Sequence, residues 1–277
     1  MSRKCKTVYT AVARPYSKCV NVGNWFEERA LEEHLLKDYL YKRENNMLLW
    51  QNLDRLKKTC FKDVPLSYSR DQLVRYGDRV MLVNLPITNP AQNIKTLCMH
   101  VPESVLYCGC LDPSFMDRPI TELCASENIL SPVNFSTFVI RGLTAALDGT
   151  PVRFGEVVFF YTFNEKLLLS SVKKTPIFRL RNMSENNWVV LTNECNYNCR
   201  FRLVPFDKSE RLELDGEPVK ANARLLVNHV ETNENLCVEN DILRSAFNTV
   251  YDVDESVSGS HGNGGEHYKC GGSHMEK

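Results

Sequence analysis

A mainly β fold, organised as a β-trefoil behind an N-terminal α-helical segment and between extended termini, is predicted by three observations. The first is an internal repeat, which constrains architecture more than any single motif. A basic or small residue, a residue able to take positive φ and a β-rich run recur at Val74-Arg75-Tyr76-Gly77-Asp78-Arg79-Val80-Met81-Leu82, at Val152-Arg153-Phe154-Gly155-Glu156-Val157-Val158-Phe159-Phe160 and at Val219-Lys220-Ala221-Asn222-Ala223-Arg224-Leu225-Leu226-Val227. The second is a short apolar run after each copy, at Leu97-Cys98-Met99, Leu167-Leu168-Leu169 and Leu236-Cys237-Val238, so that each unit reads as a strand, a loop and a returning strand. The third is a strand-like period from about 72 to 250, with β-branched and aromatic clusters such as Thr137-Phe138-Val139-Ile140 and Trp188-Val189-Val190-Leu191 punctuated by Gly, Pro and Asn. Three hairpin units suit a barrel that closes and leaves no exposed edge. A β-sandwich also takes many short strands but gives no reason for three copies of one pattern.

The elements follow in order. Residues 1–21 lack amphipathic periodicity and read as a basic extended arm carrying Arg3, Lys4, Lys6, Arg14 and Lys18. Residues 22–60 read as a helical docking segment. Asn24 followed by Glu27 fits an N-cap with its capping-box partner, and Leu31, Leu35, Leu36, Tyr39 and Leu40 share a face opposite Glu32, Glu33, Lys37 and Lys42. Asn45-Asn46 is a stop, and a second helix with Leu49, Trp50, Leu53 and Leu56 as its apolar face runs to about Lys58, before Pro65. Residues 61–250 are the predicted trefoil domain, interrupted at 102–133 by an insert that holds Cys108, Cys110 and Cys124 and reads as a long surface loop. Residues 251–277 form an acidic Gly/Ser/His-rich tail, expected to be disordered without a partner.

Bulk composition narrows the function. A chain of 277 residues can bury about 75% of its unfolded surface and needs neither disulfide nor metal to be stable. Lys and Arg number 34 and Asp and Glu 34, which removes the electrostatic argument for a nucleic-acid partner. No apolar run approaches the ~18 residues of a membrane span, and no signal-peptide pattern opens the sequence, so the expectation is an intracellular chain without a membrane partner. Eleven cysteines in that setting read as mostly reduced thiols.

Catalytic signatures are missing: no phosphate loop, nucleophile elbow, paired zinc CxxC, His-Glu-x-x-His or dinucleotide fingerprint stands in the sequence. Cys108-Gly109-Cys110, Cys124, Cys195, Cys199, Cys237 and His229 include metal-ligand types, but their spacings match no structural zinc site and predict buried or loop thiols instead. The reading is therefore a protein with no catalytic residues, no cofactor and no metal. Trp25 and Phe26, at a helix start beside the basic arm, are the candidate partner contacts, together with Arg3, Lys4, Lys6, Arg14 and Lys18. Trp50 is expected to pack the helices onto the barrel.

Three strings in order carry a resemblance. They are Val22-Gly23-Asn24-Trp25 with Leu31-Glu32-Glu33, Lys37-Asp38 and Lys42-Arg43; Tyr76-Gly77-Asp78-Arg79-Val80-Met81-Leu82-Val83-Asn84; and Gly216-Glu217-Pro218-Val219-Lys220-Ala221-Asn222-Ala223-Arg224 running into Asn228-His229 and Thr232-Asn233. Over residues 22 to about 240 the chain resembles the cilia- and flagella-associated protein 161 family. That resemblance implies a non-enzymatic microtubule inner protein with a body similar to MIR-type trefoil modules. It implies contact with α/β-tubulin on the luminal wall of the A-tubule, with other inner proteins as neighbours, in the axoneme of motile cilia or sperm flagella. The alternative is a cytosolic trefoil module for peptides or glycans, which predicts three equivalent shallow sites with shared polar residues after each repeat strand.

Overall fold

A computed structural model describes residues 25–84, 94–107, 121–127, 131–144, 147–172, 187–247, 249–256 and 266–271. Helix α1 (Trp25–Glu44) is laced by the i,i+4 ion pairs Arg29–Glu33 and Asp38–Lys42, the latter at 2.7 Å. It ends where predicted, with Asn46 in the left-handed region at φ 55° and the Asn45 Nδ2 donating to the Tyr41 carbonyl. Asn24, its predicted N-cap, lies outside the described residues. Helix α2 (Leu49–Cys60) follows at once. Its buried face is Asn52, Leu56 and Cys60, one turn apart, whereas Leu49 and Trp50 are exposed, Trp50 to 75%. The apolar face read from sequence is thus corrected at both residues. Buried Asn52 donates from Nδ2 to the Leu106 carbonyl at 3.2 Å, a long-range bond that hydropathy cannot reveal, while its Oδ1 finds no partner among the described residues.

Among the described residues twelve strands follow, β1 (Arg79–Asn84), β2 (Lys95–Met99), β3 (Thr121–Ser126), β4 (Phe138–Arg141), β5 (Val157–Thr162), β6 (Leu168–Val172), β7 (Asn187–Thr192), β8 (Phe201–Pro205), β9 (Leu225–His229), β10 (Asn235–Arg244), β11 (Thr249–Ser256) and β12 (Glu266–Gly271). A single antiparallel sheet joins them and closes on itself. They fall into three consecutive sets of four. The second and third strands of each set pair as β2–β3, β6–β7 and β10–β11, and the third strands pair with one another as β3–β7, β3–β11 and β7–β11. First and fourth strands run round the wall through β1–β4, β4–β5, β5–β8, β8–β9 and β12–β1.

The repeat is written into the backbone hydrogen bonds. The Val152 N–H donates to the Val74 carbonyl, Val219 N–H to Val152 and Val74 N–H to Val219, at 2.8 to 2.9 Å, a closed ring of the three repeat valines. Two residues further on, a second ring runs from Tyr76 to Thr150, Phe154 to Glu217 and Ala221 to Gln72. The chain then turns at Gly77 (φ 95°), Gly155 (φ 83°) and Asn222 (φ 63°), the three positions predicted to take positive φ. Inside the wall, one core cluster gathers Leu82, Leu97, Leu123, Ile140, Phe160, Leu169, Leu191, Phe201 and Leu203, each under 2% exposed.

Two sequence boundaries are corrected. The 102–133 insert is not all surface loop, because Thr121–Ser126 is β3, with Cys124 buried opposite Cys98. Sheet structure also continues past 250: β11 reaches Ser256, and β12, within the expected tail, pairs with β1 and β10. Val250 and Val253 anchor β11 in the core, and β1 supplies hydrogen-bond partners that let the polar sequence of β12 extend.

Candidate functional site

Of the residues singled out in the sequence, Arg3, Lys4, Lys6, Arg14 and Lys18 lie outside the described residues. Trp25 and Phe26 open α1, and their side chains are outside the description too. What is visible beyond them is a helix that keeps its large side chains on the surface: Leu35, Leu36, Tyr39 and Tyr41 are all about half exposed. Leu49 and Trp50 extend the apolar display across the corner onto α2. Charge is polarised along α1, with Glu27 and Glu28 in its first turn and Lys42 and Arg43 in its last, each sign stabilised by the helix dipole at its end.

The corner fixes where this display points. Gln51 of α2 accepts from the Leu48 N–H with Oε1 at 3.2 Å and donates from Nε2 to the Arg43 carbonyl at 3.1 Å, tying the start of α2 to the end of α1. The other end of α2 is held by the Asn134 Nδ2, which donates to the Thr59 carbonyl, and by Phe61, stacked edge-on against Phe135 and Phe247 at 5.0 Å. Leu56 and Cys60 are in the core itself. An exposed helix is thereby mounted on a second helix that belongs to the barrel.

Of the ligand-type residues named from the sequence, Cys124 and His229 have structural places. Cys98 and Cys124 face each other across β2 and β3 with sulfurs 3.4 Å apart, and burial pushes the Cys124 thiol well up. Burial, with the Cys98 charge second, lifts Cys60 to about 12, so it stays protonated and a poor metal ligand. Cys199 is buried and Cys195 exposed. His229 is 1% exposed, with Nδ1 at 2.9 Å from the Thr232 hydroxyl and its ring against Phe201. Among the described residues no three His, Cys, Asp or Glu side chains converge on a metal position; Cys108 and Cys110 lie outside them. No helix among those residues is long and apolar enough to cross a membrane.

One titratable pair is set into the first hairpin. His100 Nδ1 lies 3.4 Å from the Glu122 carboxylate, and Nε2 is 3.2 Å from the Arg244 carbonyl. Burial works to lower the His100 pKa, but the Glu122 hydrogen bond, the Arg244 carbonyl and the charges of Glu122 and Asp252 outweigh it and raise the value. Glu122 is correspondingly lowered, first by the His100 hydrogen bond. The pair joins β3 to the neighbourhood of β10, with the imidazole buried and the Glu122 carboxylate half exposed.

Comparison with known proteins gives this surface its context. The family model described as the Cilia- and flagella-associated protein 161-like domain matches residues 52–257, from the first buried residue of α2 to the end of β11. The chain is 29% identical over 248 residues to Cilia- and flagella-associated protein 161 of Danio rerio, covering 88% of this chain and 82% of that one. It is 32% identical over 246 residues to the protein of the same name from Bos taurus, covering 84% and 73%. Among solved structures, a Caenorhabditis elegans protein of unknown function superposes with a TM-score of 0.51 at 12% identity, over 73% of this chain and 98% of that one, and shares the fold. The repeat-bearing barrel and the helix braced against it are therefore those of a member of the cilia- and flagella-associated protein 161 family.

Proposed function

We propose that this cilium- and flagellum-associated protein is a non-enzymatic microtubule inner protein of the axoneme. In this reading its barrel is a rigid wedge on the luminal wall of the A-tubule, contacting α/β-tubulin and neighbouring inner proteins, and it supports the beating of motile cilia or sperm flagella. Family membership sets the cellular context. The observation that carries the structural role is α1, a 20-residue helix with half-exposed leucines and tyrosines, tied to α2 by a hydrogen-bonded corner. An isolated helix gains most of its stability from packing, and docking on a partner supplies what this chain does not. Contacts made by α1, by the basic arm and by the barrel each gain from the effective concentration set by the others. We infer further that the body is a β-trefoil of the MIR type, supported by the three sets of four strands and the ring of repeat valines.

Fractionation of axonemes tests the assignment. The protein should stay with doublet microtubules after detergent and high-salt extraction, and recovery in the detergent-soluble fraction would refute it. Trp25→Ala should lower incorporation into doublets while the purified variant melts like wild type. Normal incorporation would remove Trp25 from the contact.

A further inference from the structure

The two hydrogen-bond rings make the junctions between successive repeats comparable residue by residue. Gly149 N–H donates to the Tyr76 carbonyl as Gly216 N–H does to Phe154, and Arg75 caps Gly149 as Arg153 caps Gly216. Tyr76 therefore corresponds to Phe154, Leu147 to Leu214 and Glu156 to Ala223. At the first junction the Tyr76 hydroxyl donates to the Glu156 carboxylate at 2.9 Å, and Leu147 lies so close over Gly142 and Tyr76 that a Cβ on Gly142 would collide with it. That junction is shut. At the second, Phe154 has no hydroxyl, Ala223 has no carboxylate, and the loop carrying α3 (Arg211–Leu214) is longer. A pocket of about 290 Å³ opens there, floored by Phe154, Phe206 and Leu214 between Pro205 and Pro218.

We propose that this pocket binds one aromatic side chain of a partner polypeptide, with charged residues flanking it. Its volume is at the small end of ligand sites, which begin at ~300 Å³, and since a cavity of about 150 Å³ already holds benzene, it has room for one aromatic side chain together with part of its flanking chain. The floor is apolar, and the rim carries both signs: Asp207 and Glu210 by α3, Lys220 and Arg224 on the repeat side. Arg224 is already held over the Phe206 ring, its Cζ 4.8 Å from the centroid, so one cation of the rim is positioned before anything binds. Opposed rim charges pair with a peptide that has an acid and a base beside its aromatic residue, whereas a neutral sugar would offer them hydrogen bonds but no opposite charge. The site stands apart from the proposed α1 contact and does not depend on the microtubule reading.

Isotopically labelled full-length protein, titrated with acetyl-Glu-Phe-Lys-amide and with acetyl-Lys-Phe-Glu-amide, tests the proposal. Amide shifts at Phe154, Phe206, Leu214 and Ala223 should saturate with at least one peptide, and peptides with alanine in place of phenylalanine should leave them unchanged. Phe154→Tyr combined with Ala223→Glu installs the bridge of the first junction and should weaken binding at least about tenfold. Lys220→Glu with Arg224→Glu alters only exposed rim residues, keeps the fold, and should weaken the preferred peptide by a similar factor. Absence of saturation with both aromatic peptides, equal shifts with the alanine versions, undiminished binding in either folded variant, or saturation by methyl glucoside instead would each overturn it.

Discussion

Deleting the same three carbons from two leucines separates the helix that belongs to the core from the helix that does not. Leu56 is 2% exposed and part of the main cluster, while Leu36 is 57% exposed. Leu56→Ala removes apolar surface from the interior and leaves a cavity, at a typical cost of about 2–5 kcal/mol. Leu36→Ala removes a contact with solvent, and surface changes of that kind stay within about 0.5 kcal/mol. Alanine's better helix propensity pulls slightly the other way at both sites, so the difference survives it. In urea melts followed by circular dichroism, with a slope of roughly 3 kcal/mol/M, the Leu56 variant should lose about 1 M in midpoint and the Leu36 variant almost nothing. Equal losses would mean that α1 is buried in the folded monomer, and two unchanged midpoints would mean that α2 melts apart from the barrel; either removes the basis for a braced docking helix.

Stability should also report the His100–Glu122 pair. A raised His pKa contributes fully below the ordinary 6.5 and is lost as pH rises through the folded value, whereas the lowered Glu122 contributes above the ordinary 4.5 and is lost as pH falls through its own. The pair's contribution therefore peaks between these values, and Glu122→Gln should flatten the decline in melting temperature above pH 6.5; an unchanged profile would assign that decline elsewhere. Gly155→Ala should destabilise more than Gly77→Ala. Both carry alanine at positive φ, a cost of about 1–2 kcal/mol, but a Cβ at 155 also meets the Asp215 carboxylate, while at 77 the nearest atom is 3.7 Å away. Equal melting temperatures would show that Asp215 yields freely. Ser171→Ala should raise stability by about 1 kcal/mol in denaturant melts, because the buried Ser171 hydroxyl has no hydrogen-bond partner among the described residues; a loss would reveal a bound water. In hydrogen exchange, α1 amides of the free protein should exchange far faster than those of β5, and comparable protection would mean that α1 is already docked.

The repeat was legible because backbone chemistry, not packing, demands it. Gly and Asn take positive φ at least cost, so Gly77, Gly155 and Asn222 mark the three repeat turns, although Gln72 and Glu165 also hold positive φ with no such signal in their type. The strands after them show because β-branched and aromatic residues crowd there. Strand β3 was hidden for the opposite reason: four of its six residues are buried in succession, so Thr-Glu-Leu-Cys-Ala-Ser has no alternation and few large side chains. Strand β12 was hidden because its extension depends on β1, at a sequence distance no local pattern reports. Trp50 misled by size. A large aromatic on a helix reads as core, yet the buried face of α2 is set by Cys60 and by an asparagine whose partner is a carbonyl 54 residues away.

The places where the copies differ carry more about binding than the places where they agree. Agreement among Val74, Val152 and Val219 closes a ring that any threefold barrel needs, and it would be the same whatever the protein touches. Replacement of a tyrosine by Phe154 and of a glutamate by Ala223 removes one hydrogen bond that the fold can evidently spare, since Phe154 remains buried and the ring beside it stays intact. A bond lost without loss of the surrounding geometry leaves space with a rigid floor, and rigid floors lower the entropy that a ligand must overcome. At the third junction the corresponding pair is Ala221 and Asp78, with no ring to form a floor at all. The three junctions are therefore not equivalent, and in the proposed reading the one that keeps an aromatic floor while losing its bridge is where the barrel takes hold of a partner.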